Sequence, residues 1–229
     1  MNLAKPFVDI GLNTNNLEPM LAFWQNEVGL RFDHVLPIQP GMKQYRHDIL
    51  GSVLKINHFR DPLPDASPCG YAELMIARDG IEEPVEKRDP DGNRLRLVPR
   101  GSGGIQQVAV KLAVRDPASH RTFFTSALGL DELSFDKGAA FCAGETLLII
   151  EKNSAAPSDA AFQGKGYRYL TFQVFKTDLE HGHILARGGR EAMAPRTLGA
   201  TARISMVRDP DGNWIEISQR ASITGSLQP

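Results

Sequence analysis

The chain has 229 residues, a formal net charge of −1, 41% hydrophobic and 23% charged residues. That is the composition of a soluble globular protein, long enough for one large domain or two of ordinary size. The near-zero charge argues against nucleic acid or an anionic membrane as partner, and no apolar run approaches the roughly 20 residues that cross a bilayer.

The opening MNLAKPFVDIGL has neither a long apolar stretch nor a small-residue cleavage site, so no signal peptide is read. Phe7–Thr14 reads as a strand. Leu17–Val28 reads as a helix with Leu17, Leu21, Trp24 and Val28 on one face, capped by Gly29. Two strands follow, Lys43–Ile49 and Ser52–His58. The segment HFRDPLPDASPCG, rich in proline and polar residues, reads as a loop able to cover a cavity mouth. Tyr71–Ala77 is the next strand, then a short DGIEEP. RDPDGN (Arg88–Asn93) is a turn: Asp can bond its own backbone, Pro fixes φ, and Gly accepts a positive φ. With Leu95 and Leu97 alternating after it, it closes a hairpin.

GSGG (Gly101–Gly104) reads as a linker, and the pattern then starts again. A strand over Gln107–Val114 and a helix over Pro117–Leu128, capped by Gly129, match the first copy. Leu12, Phe23 and Gly29-Leu30 recur as Leu112, Phe123 and Gly129-Leu130 at an offset of 100. Strands follow at Ala139–Cys142, Thr146–Glu151 and Tyr167–Phe175. A helix over Thr177–Arg187 replaces DGIEEP, and GGREAMAPRTLGATAR after it reads as a second lid, with Arg196 and Arg203 able to meet an anion. RDPDGN returns as Arg208–Asn213, at an offset of 120, followed by Ile215 and Ile217. The tail ASITGSLQP reads as unstructured. A repeat of this length implies two homologous domains: 1–100 and 105–220, joined by 101–104 and followed by 221–229. Cys69 and Cys142 have no metal-ligand spacing and read as reduced thiols in a cytoplasmic protein.

The doubled closing motif DPDGN-x-[IL]-x-[IL], and an opening strand followed by a helix with paired aromatics (Phe23-Trp24, Phe123-Phe124) and Gly-Leu, resemble the vicinal oxygen chelate superfamily. That group holds glyoxalase I, bleomycin-resistance proteins and extradiol dioxygenases. The resemblance implies an α+β fold of two tandem domains. Each would hold two βαβββ-type units forming a curved mixed sheet with helices outside, and a cup in each half. It also implies that metal-ligand positions fall on Asp9, about Lys55, Glu73 and Arg96 in the first half. In the second half they fall on Ala109, about Ile149, Tyr169 and Glu216. Protonated Lys and Arg cannot ligate a metal, so the first set reads as an ion-paired floor in which Arg96 fills a cation's space against Asp9 and Glu73.

The expectation is therefore a protein that binds a small organic molecule in a cup, with no metal and no other cofactor. If it is an enzyme, Asp9 or Glu73 is the base of a lyase or isomerase working by proton transfer. Lys55 and Arg96 then hold the developing oxyanion, with His47, His58, Tyr169 and Glu216 as further substrate-binding candidates. Two alternatives stay open. One is a glyoxalase-like or dioxygenase-like enzyme with one divalent metal, held by Asp9 and Glu73 with a nearby His. The other is a drug-sequestering protein without turnover. His120 reads as a solvated helix residue, and the His181–His183 spacing argues against a shared metal. A homodimer is compatible with all of these readings.

Overall fold

The computed structural model describes residues 1–134 and 138–228. Four similar units follow one another. The first is β1 (Asp9–Thr14), α1 (Leu17–Ala22), β2 (Arg31–Gln39), β3 (Met42–Ile49) and β4 (Ser52–Phe59). The second is β5 (Tyr71–Arg78), β6 (Val85–Arg88) and β7 (Arg94–Pro99). The third is β8 (Val108–Val114), α2 (Pro117–Thr122), β9 (Asp131–Leu133), β10 (Ala139–Ala143) and β11 (Thr146–Lys152). The fourth is β12 (Gly166–Gln173), α3 (Thr177–Ala186), β13 (Arg190–Leu198), β14 (Ala202–Arg208) and β15 (Trp214–Arg220), with a short α4 (Ala221–Thr224) at the start of the expected unstructured tail.

The repeat extends to individual hydrogen bonds. Helices α1 and α2 each run into one π-helical turn, Phe23–Glu27 and Phe123–Ala127. In both, the amide five residues beyond the first aromatic donates back to it: Val28 to Phe23 and Leu128 to Phe123. This wide turn lets two consecutive aromatics bury together, Phe23-Trp24 in one copy and Phe123-Phe124 in the other. Gly29 and Gly129 then take φ of 76° and 67°, the left-handed backbone expected of a helix cap.

Among the described residues three strands, β2, β9 and β13, escape the sequence reading. Both β2 and β13 are edge strands, mostly exposed, so neither carries a clean alternation. Each contains a proline, Pro37 or Pro195, which an edge tolerates and an interior strand does not. The stretch expected to be a second lid is thus a hairpin, β13 against β14.

The fold is α+β with two curved mixed sheets, of eight and seven strands. The units pair differently from expectation. The eight-stranded sheet runs β13-β14-β15-β12-β1-β4-β3-β2, joining units one and four. The seven-stranded sheet runs β6-β7-β5-β8-β11-β10-β9, joining units two and three. Each sheet is therefore drawn from both halves of the chain. β1 lies antiparallel to β12 and β5 antiparallel to β8. Sequence repetition identifies equivalent units but carries no signal for which unit adds to which edge. One contiguous core holds the assembly, with Ile10, Leu12, Leu54 and Phe172 of one sheet and Leu74, Val110 and Leu148 of the other around Trp24 and Phe124.

The two RDPDGN turns anchor this core. Asp209 accepts from the Asn213 amide at 2.8 Å and from Asn213 Nδ2 at 2.7 Å, and Asp89 and Asn93 repeat the pattern. The second turn has an extra partner. His120, expected to be solvated, is fully buried, with Nε2 3.3 Å from Asp209 Oδ2. The first copy has Met20 at the equivalent position. Burial opposes the imidazolium, but Asp209 and the Asp116 carbonyl outweigh it and raise the His120 pKa. A raised folded value makes this contribution complete below the unfolded pKa of about 6.5, and it is lost as pH rises through the folded value. Thermal melts of the wild type should therefore lose stability as pH rises above the ordinary histidine value of about 6.5, and His120→Met should flatten that slope. An unchanged slope would contradict the pairing.

Candidate functional site

The concave face of the eight-stranded sheet encloses a cavity of about 510 Å³. Strand alternation selects its lining. Gln44 and Arg46 project into it from β3, Lys55 from β4, Tyr169 from β12 and Glu216 from β15. The edge strands β2 and β13 form opposite walls.

Its floor is set by register. Asp9 faces Thr171 across β1 and β12, and Thr171 lies beside Glu216 of β15. Lys55 reaches this row from β4. Its Nζ donates to Thr171 Oγ1 at 2.6 Å and to Glu216 Oε1 at 3.3 Å, and stands 4.0 Å from Asp9 Oδ2. The ammonium sits among three oxygens, and its side chain is 4% exposed. Asp9 is bound on its remaining sides by Lys5 Nζ at 2.7 Å, the Val53 amide at 3.0 Å and Gln173 Nε2 at 3.1 Å. Burial would raise the Asp9 carboxyl, but Lys55 and Lys5 hold it below the ordinary aspartate value. Burial lowers the Lys55 ammonium, against the pull of Glu216 and Asp9.

Gly11 shapes the next row. A Cβ there would lie 2.1 Å from the Tyr169 ring, so only glycine lets the phenol lie across β1. The Tyr169 hydroxyl accepts from Asn57 Nδ2 at 3.2 Å and from Gln44 Nε2 at 3.4 Å. Burial, reinforced by Glu216, raises its pKa well above the usual tyrosine value, so it stays a neutral phenol. Phe162 packs 5.4 Å from the Tyr169 ring and 5.3 Å from the Trp214 ring, making an aromatic wall. Trp214 is fixed by donating to the Ala160 carbonyl at 2.8 Å, with the Arg208 guanidinium over its ring at 4.0 Å.

Of the candidates read from sequence, Asp9, Lys55, Tyr169 and Glu216 come together here. Asp9 lies beneath Lys55 and does not line the cavity. Glu73 and Arg96 belong to the other sheet, so the single floor expected from Asp9, Lys55, Glu73 and Arg96 does not form. His47 and His58 point to the opposite face of the sheet. His47 is buried against Gln25, 3.0 Å away, and His58 lines a separate groove together with Leu17 and Tyr45. Of the segment HFRDPLPDASPCG (58–70), expected to cover the mouth, only Phe59, the last residue of β4, lines the cavity. Arg46, Arg220, Thr171 and Gly11 escaped notice because their roles depend on the pairing of units one and four.

The second concave face shows what the same positions become without a site. The row equivalent to Asp9, Thr171 and Glu216 is Ala109, Met75 and Arg96, and Ile149 stands where Lys55 does. Met75, Ala109 and Ile149 close this face as a small apolar cluster with Leu147 and Val98. Glu73, at its margin, is held by Arg94 and Arg96 at 3.3 Å and by Lys111 at 3.4 Å.

Neither face offers a donor set that suits a divalent metal. Among the described residues no three His, Cys, Asp or Glu side chains gather to hold one. In the eight-stranded cup the space among the oxygens is taken by the Lys55 ammonium, which donates and cannot ligate.

This architecture is that of a two-sheet α+β cup protein, and comparison with known proteins places it further. The model of the Glyoxalase/Bleomycin resistance protein/Dioxygenase superfamily matches residues 104–217, and the chain carries a domain of this superfamily. No curated protein sequence matches it. Among solved structures it is similar to glyoxalase I from Zea mays, at TM-score 0.76 and 15% identity over 94% of this chain and 92% of that one. A point mutant of the same maize enzyme gives TM-score 0.78 and 15% identity over 98% and 96%. A putative dioxygenase from Bacillus subtilis gives TM-score 0.70 and 12% identity over 99% and 92%. At these identities the likeness is one of fold.

Unequal burial gives the two cups different sensitivities. Lys55→Met strands Asp9 and Glu216 without their shared cation and should cost on the order of 3 kcal/mol. Arg96→Ala should cost less than about 1 kcal/mol, well below what a single shared floor would require, because Arg96 is 25% exposed and Glu73 keeps Arg94 and Lys111. Urea unfolding of both variants checks the contrast, and comparable losses would contradict it.

Proposed function

We propose that the chain binds a small organic molecule in the cup of the eight-stranded sheet, without a resident divalent metal, and acts on it by proton transfer as a lyase or isomerase. The supporting observation is the placement of the Lys55 ammonium among Asp9, Thr171 and Glu216. Within the cup Glu216 is the one carboxylate among the described residues that line the cavity. It takes the part of the base first expected of Asp9 or Glu73. Asp9 is held ionised below the floor, and Glu73 is in the other sheet. In this reading Glu216 removes a proton from carbon next to a carbonyl, and Lys55, 3.3 Å from it, donates a hydrogen bond to the oxyanion that develops. Tyr169, neutral and rigidly held, orients the substrate's apolar part.

Ligand sequestration without turnover is the second reading, favoured by the absence of a second carboxylate among the described lining residues. Free thiols at Cys69 and Cys142 support a cytoplasmic location. Among the described residues no helix is long and apolar enough to cross a membrane.

Incubating the protein in deuterated water with a library of small carbonyl and aromatic acids, and following C–H exchange by NMR, tests the proposal. Exchange should appear for at least one bound compound, persist in the presence of a chelator, and fall at least about a hundredfold in Glu216→Gln. Bound compounds recovered unexchanged would establish sequestration. Exchange abolished by chelator would overturn the metal-free reading.

A further inference from the structure

Charge in the cup is unbalanced. Among the described residues that line the cavity, Arg46, Lys55, Arg196 and Arg220 face Glu216 alone. Lys55 already uses Glu216 and Asp9. Among the described residues Arg46 has no carboxylate as a hydrogen-bond partner. It is 5% exposed, its Nη1 donates to Gln44 Oε1 at 2.8 Å, and its Nε is buried with no partner. It also sits directly across the β3–β4 ladder from Lys55, a like-charge placement that costs stability. Arg220, half-buried at the end of β15, has no ion pair of its own among the described residues. Burial and the nearby Arg46 both weigh against its charge.

A buried guanidinium with an idle N–H is costly unless something meets it. The same cavity is lined by Met206, Trp214 and Phe162, an apolar and aromatic wall. A compact inorganic anion would satisfy the guanidiniums and leave that wall uncovered. A neutral apolar molecule would do the reverse.

We infer that the cup selects an organic anion, with a carboxylate or sulfonate held by Arg46 and Arg220 and an aromatic or aliphatic body against Trp214 and Phe162. The inference rests on the small-molecule reading above and narrows it to a ligand class. Guanidinium pairs suit such a head group because their planar N–H forks match its oxygens. The idle Arg46 is then a cost carried by the ligand-free protein and relieved on binding.

Anilinonaphthalene sulfonate and phenylnaphthylamine share one aromatic skeleton and differ in the sulfonate, and both report binding by fluorescence. The sulfonate should saturate a single site per chain and bind at least about tenfold more tightly than the neutral probe, the effect of a charge-assisted hydrogen bond. Arg46→Met should remove most of that preference while the melting temperature of the ligand-free protein holds or rises. Arg220→Gln, at a less buried position, gives an independent loss of preference. Equal affinity for the two probes would overturn the anion inference and leave the small-molecule cup standing. Saturable binding of neither would overturn both. A preference that survives both substitutions would place the anion elsewhere and equally overturn the inference.

Discussion

A buried ammonium must be met by oxygen, and Lys55 is met by three: Thr171 at 2.6 Å, Glu216 at 3.3 Å and Asp9 at 4.0 Å. These oxygens come from β12, β15 and β1, and the lysine from β4. The cluster can form only if units one and four share a sheet. The contact thus ties the concave face of the cup to the long-range pairing of the fold. It also fixes the chemistry available. A lysine in that place supplies positive charge and hydrogen-bond donors to the cup.

The two sheets are one design with two outcomes. Where the eight-stranded sheet has Asp9, Thr171, Glu216 and Lys55, the seven-stranded sheet has Ala109, Met75, Arg96 and Ile149. Small and apolar side chains let the second face close on itself. Charged ones hold the first open, because each carboxylate and cation must keep its partner or its access to solvent. Arg46 is the member of the open cup whose needs the chain does not meet, and local conflicts of that kind collect at functional sites.

Much of this was legible in the sequence. The period of the repeat, the helix caps at Gly29 and Gly129 and the closing turns all follow from local chemistry. The positions of Asp9, Lys55, Tyr169 and Glu216 come instead from the resemblance to a known superfamily. What failed was combination. Glu73 and Arg96 have the right residue types for an ion-paired floor with Asp9, and nothing local in the chain says that β5 pairs with β8 while β1 pairs with β12. His47 and His58 stand one position out of phase with Arg46 and Asn57, and a strand's period of two sends them to the other face. His120 looked like a surface residue because its partner, Asp209, lies in the last unit. The edge strands β2, β9 and β13 were missed because exposure removes the alternation by which strands are recognised.

Equilibrium dialysis of the purified protein against Zn²⁺, Ni²⁺ and Mn²⁺, followed by elemental analysis, bears most directly on the role given to Lys55. If its ammonium fills the centre of the cup, no metal remains bound at stoichiometric level after exhaustive washing. One tightly held ion per chain, lost on Glu216→Gln, would mean that the lysine yields its place and that the chemistry of the cup is that of a metal.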